Sequence, residues 1–66
     1  MAVQTKTETI EAAFELRDET DKAFLVFDGI HKLWLPKSQI VSMRHISGID
    51  YEIRLPYWLA YKKGIV

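Results

Sequence analysis

Few side chains in this sequence have the types and spacing for covalent or metal chemistry. His31 and His45 stand 14 residues apart, with no carboxylate spacing around them that suggests a metal cage. Solvated or core-edge histidines are the commoner outcome, and both are read that way. Ser38, Ser42 and Ser47 have no nucleophile-elbow context. Asp18 and Glu19 are adjacent acids in a turn-like stretch rather than a spaced acid–base pair. There is no cysteine to act as nucleophile or thiolate ligand, and no glycine-rich phosphate loop. A chain of 66 residues also has little material for a water-excluded pocket. The expectation is a protein that is not an enzyme, with no catalytic residue, no metal and no cofactor.

What remains is surface chemistry. The second half interleaves aromatic rings with cations: Trp34 and Lys37, then Arg44, then Tyr57, Trp58 and Tyr61 with Lys62 and Lys63. Rings plus cations hold single-stranded nucleic acid by stacking and phosphate neutralisation. The same residue types dominate protein interface hot spots. The competing reading is that Trp34 and Trp58 are the two largest core pieces of a small protein. Trp34 lies in the stretch WLPKSQI, where Pro36 stiffens the exit and Lys37, Ser38 and Gln39 form a polar corner. Ser38 is expected to cap that corner and Gln39 to bridge backbone groups. The expected partner-binding residues are Trp34, Lys37, Ser38, Gln39, Arg44, Tyr57, Tyr61, Lys62 and Lys63. Trp34 is expected to be half-buried, its ring partly covered by the C-terminal helix, with Lys37 and Tyr57 completing a rim.

These residues must be positioned by short elements. IEAAFELR alternates, with Ile10, Ala12, Phe14 and Leu16 on one side and Glu11, Glu15 and Arg17 on the other, which predicts a half-buried strand. Ala23 to Phe27 is a continuous apolar run and predicts a strand covered on both faces. Asp28-Gly29 is a hairpin signal, and IHKLWL is the returning strand, ended by Pro36. PKSQ reads as a corner or single helical turn, and IVSMRHI as a fourth strand of weaker pattern. Ser47-Gly48 turns into IDYEIRL, a fifth strand of strict alternation. The tail PYWLAYKKG predicts a helix over 56–63, with Pro56 at its first position and Gly64 just past its end. A helix this short must dock, and Leu55, Trp58, Leu59 and Lys62 form the expected stripe. The fold class is mainly β (α+β): five antiparallel strands in up-and-down order, as a curled sheet or small SH3-like barrel with a C-terminal helix. Residues 1–9 are expected to be a loose arm and 10–66 the single domain.

Charge is balanced, nine basic against nine acidic residues, but unevenly distributed. Residues 1–28 carry Lys6, Arg17 and Lys22 against seven acids, a net of −4; residues 29–66 carry six cations against Asp50 and Glu52, a net of +4. Such asymmetry fits a polyanion-binding half, an acidic decoy surface, or solvated faces that attract each other on folding. No apolar run reaches the roughly 18 residues of a membrane span. The acidic, polar start lacks a signal peptide's pattern, so a cytoplasmic protein with no membrane partner is expected. A core this small is also compatible with a homo-oligomer.

WLPKSQI followed by LPYWLAYKKGIV resembles short phage and prophage accessory proteins in which W-[LI]-P-K-S-Q-I and a closing P-x-W-L-A-x-x-K-G recur. The resemblance covers roughly residues 23–66. It implies a phage accessory role, in DNA metabolism or in countering host defence, exercised in the host cytoplasm, and carries no catalytic residue. Two functions follow as expectations. One is a protein-binding module whose partner is a component of a host defence complex. The other is a single-stranded DNA-binding accessory factor in phage recombination or replication. The zero net charge counts against the second, because phosphate neutralisation dominates nucleic-acid affinity.

Overall fold

A computed structural model describes residues 8–66. The elements run β1 (Thr9–Glu19), β2 (Ala23–Phe27), β3 (Lys32–Pro36), a 3₁₀ turn (Lys37–Gln39), β4 (Ser42–Ser47), β5 (Asp50–Pro56) and α1 (Tyr57–Lys62). All five strands are antiparallel in one open sheet of order β3-β2-β1-β5-β4. The protein is therefore mainly β with a short C-terminal helix. Among the described residues the sheet does not close into a barrel, and β3 and β4 are its edges. Nor is the order up-and-down: β3 and β4 are not neighbours, and β1 takes the centre beside β5. The cause is the corner. Pro36 cannot donate to a ladder, the 3₁₀ turn redirects the chain, and the Val41 N–H then donates to the Arg54 carbonyl, seating β4 beside β5.

β1 holds the two halves together. Its residues 9–15 pair with β5, while Glu15 to Glu19 pair with β2 across a bulge between Leu16 and Asp18. Directly opposed residues share a face, so the register sorts every strand. One face gathers Ile10, Ala12, Phe14, Leu16, Phe24, Val26, Leu33, Leu35, Met43, Tyr51, Ile53 and Leu55, and Leu59 and Ala60 of α1 close over it as one core. The alternation expected for β1 is realised, and that of β5 from Tyr51 onward; Ile49 lies in the turn ahead of β5 and is exposed. β2 departs from expectation: of its five apolar residues only Val26 is buried, and the face bearing Leu25 and Phe27 is uncovered by the core.

Pro56 precedes the helix in extended conformation, φ −61° and ψ 142°, so α1 begins at Tyr57 rather than at the proline. The expected docking stripe changes with it. Leu55 is buried as a strand residue, Leu59 and Ala60 are the buried helix residues, and Trp58 is 38% exposed. A helical period cannot be counted through an extended proline, which resets the rotation of the wheel. The end of α1 is as the sequence predicts. Gly64 adopts φ +80°, the Gly64 N–H donates to the Tyr61 carbonyl, and the Ile65 N–H donates to the Ala60 carbonyl. Those two bonds form a Schellman motif, and Ile65 packs against the core. At the other end Thr9 already belongs to β1, and the Glu8 carbonyl accepts the Tyr57 N–H. The remainder of the arm expected over 1–9 lies outside the described residues.

Candidate functional site

Trp34 sits on β3 directly opposite Leu25 of β2. Leu33 and Leu35 to either side point into the core, so Trp34 points out of the other face and is 42% exposed. It is half-covered as expected, but not by the helix: α1 lies on the opposite face of the sheet with Leu35 and Ile53. Trp34→Ala therefore removes a cross-strand neighbour, not a core piece.

The expected rim does not assemble. Lys37 leaves the end of β3 toward the core side, where its Nζ lies 4.8 Å from the Phe24 ring centre and 2.5 Å from a Glu19 carboxylate oxygen. Tyr57 and Tyr61 stack on α1 with ring centres 6.3 Å apart, beside Lys62 and Lys63. Arg44 on β4 pairs with Glu52. Ser38 and Gln39 are exposed, and among the described residues no side-chain bond caps the 3₁₀ turn. The nine expected residues thus fall on four separate places: the β3 face, the corner, β4 and α1 with its end.

Half of the charge asymmetry is cancelled by ion pairs across the fold. Lys37–Glu19 and Arg54–Glu11 join the basic half to the acidic half, and Arg17–Glu15 and Arg44–Glu52 pair within each. Such exposed pairs each contribute about 0–1 kcal/mol. Their larger consequence is that Lys37 and Arg44 are already neutralised.

The open face of the β2–β3 hairpin carries residues that sequence reasoning passed over. Leu25 and Phe27 stand beside Trp34, with Phe27 between Glu15 of β1 and Lys32 of β3. The Arg17 guanidinium lies 4.7 Å from the Phe27 ring centre and 2.7 Å from a Glu15 carboxylate oxygen. Next to this strip a recess of about 300 Å³ opens between Glu15, Phe27, Asp28 and Asp50. Asp28 accepts the Ile30 and His31 N–H groups at 2.8 and 2.7 Å. The His31 N–H foremost, then that of Ile30, holds its carboxyl below the usual carboxylate range. The missed signal was a period of two inside an apolar run: Leu25 and Phe27 alternate with Phe24 and Val26, but with every position apolar the alternation was invisible.

Among the described residues no group of three or more histidines and acids is placed to hold a metal. His31 is in the β2–β3 turn, and His45 on β4 bonds the Gly48 carbonyl through Nε2 at 2.9 Å. Among the described residues no helix is long and apolar enough to cross a membrane. The placement of Trp34 is checked by fluorescence. In a Trp58→Phe variant its emission is expected to be red-shifted and readily quenched by acrylamide; blue-shifted, quencher-resistant emission would mean a buried ring. Comparison with protein-family models, curated proteins and solved structures finds no match.

Proposed function

We propose that this protein is a non-enzymatic binding module that docks a protein partner on the open face of β2 and β3. One observation carries the reading: Trp34, Leu25 and Phe27 form an apolar strip that lies outside the core cluster. Aromatic anchors flanked by charge are the residues from which interface hot spots are made. The resemblance of Trp34–Ile40 and Pro56–Gly64 to short phage proteins supports an accessory role in an infected cell's cytoplasm, as an inhibitor of a host defence complex. The test is co-purification of the tagged protein from its host, followed by titration of the captured partner. Trp34→Ala is expected to lower stability by about 1 kcal/mol, the scale of a cross-strand pair. It is expected to weaken partner binding by about 30-fold, the scale of a hot-spot truncation. Unchanged affinity would reject this face as the contact surface.

A second reading, single-stranded DNA binding, is favoured by α1, where exposed Tyr61 stacks on Tyr57 beside Lys62 and Lys63, which make no ion pair among the described residues. Against it stands the neutralisation of Lys37 and Arg44 by Glu19 and Glu52. If DNA is the ligand, a labelled oligonucleotide binds at about 50 mM salt and is released steeply as salt rises. No binding at that salt removes this reading.

A further inference from the structure

The charges around the apolar strip say what kind of segment fits it. Around the strip Arg17 and Lys32 stand against Glu15 and Asp18, with Asp28 and Asp50 at its end, two cations against four acids, a local net of −2. Farther along the same face Glu11–Arg54 and Glu52–Arg44 cancel as ion pairs. The excess is not spread evenly. Asp50 pairs with Glu15 across β1 and β5, and Asp28 begins the turn after Phe27, so three acidic residues border the recess that Phe27 also lines. Asp28 and Asp50 make no ion pair among the described residues. The fold itself shows what such a place accepts. Its own Arg17 lies against Phe27 and Glu15 at cation–π and ion-pair distances, the combination that holds a guanidinium by ring quadrupole and carboxylate together.

We propose that the partner presents a basic, leucine- or aromatic-bearing segment, its apolar side chain on Trp34 and Leu25 and its arginine or lysine in the recess against Asp28 and Asp50, beside the Glu15 that Arg17 already holds. The proposal rests on the protein-docking reading of this face and adds the chemistry of the partner. A polyanion is disfavoured here for the same reason: phosphates would meet net negative charge. Rim charges of this kind steer association and select partners more than they add affinity, while the strip supplies the contact area.

The test uses the full-length Trp58→Phe protein, whose remaining tryptophan reports occupancy of the face. Two labelled peptides serve as probes, alternating leucine–arginine and alternating leucine–glutamate, with an oligothymidine as a third. The arginine peptide is expected to bind and to shift Trp34 emission, with affinity falling as salt rises. The glutamate peptide and the oligothymidine are expected to leave the emission unchanged. Asp50→Asn, an exposed isosteric change, is expected to weaken the arginine peptide by about tenfold without altering the melting temperature. Equal binding of both peptides with a Trp34 response overturns the charge preference and leaves the docking face standing. A response to oligothymidine overturns the proposal in favour of nucleic acid. Silence of Trp34 toward all three probes removes both the proposal and the face.

Discussion

Phe14→Ala is expected to leave most of the chain unfolded at room temperature. Phe14 is 2% exposed and stands opposite Tyr51 near the middle of β1. One residue later, at Glu15, β1 exchanges its main partner β5 for β2. The two hairpins β2–β3 and β4–β5 do not pair with each other, so their shared contact is β1 and the core beneath it. Truncating a buried phenylalanine costs about 3–5 kcal/mol through lost transfer energy and the cavity left behind. A single core in a domain this small supplies roughly 3–5 kcal/mol in all. The substitution therefore consumes about the whole stability. Circular dichroism and urea titration read the result directly; a cooperative transition within about 1 kcal/mol of the parent would mean that β1 does not join the halves in the way described.

Leu59→Ala is expected to destabilise by about 2–4 kcal/mol, the range for a buried leucine. Leu59 is 4% exposed and, with fully buried Ala60, is how the helix α1 grips the sheet. Six residues cannot remain helical in water alone. Loss of the grip should then release the Schellman end, and Ile65 with it. Trp58→Ala is the matched control. Trp58 is 38% exposed and outside the core cluster, so its truncation should cost under about 1 kcal/mol. If Trp58→Ala proved the more damaging of the two, the helix would be docked by its other side.

Much of the fold is legible in the residues, and the limits have identifiable causes. Strict alternation in Ile10–Leu16 and Ile49–Leu55 marks β1 and β5, a period of two that outweighs the helix-forming Glu, Ala and Leu of the first stretch. Gly29, Gly48 and Gly64 mark three chain reversals, and all three adopt positive φ. The sequence could not show that β5, besides pairing with β4, would also pair with β1 and leave β3 at the opposite edge. That choice is made by long-range register, which leaves no trace in local spacing. The stripe on α1 was misread by one residue for a local reason, since Pro56 holds the chain extended where a helical wheel assumed a helix.

The candidate site divides the same way. That Trp34 shares a side with Lys32, and that Leu33 and Leu35 take the other, follows from alternation in β3. Which of these sides is open depends on where α1 docks. Lys37 and Arg44 appear in the sequence as free cations among aromatics; only the folded chain brings Glu19 and Glu52 to them. Likewise Leu25, Phe27 and Trp34 become one strip, and Glu15, Asp28 and Asp50 border one recess, through the pairings of β2 with β1 and β3 and of β5 with β1. The sequence by itself determined a small, mainly β fold lacking cysteine chemistry, with a helix that must dock. Tertiary structure decided the strand order, the open face and the neighbours of each charge. Local periodicity reports which side of a strand a residue takes, whereas only pairing between distant strands reports what stands beside it.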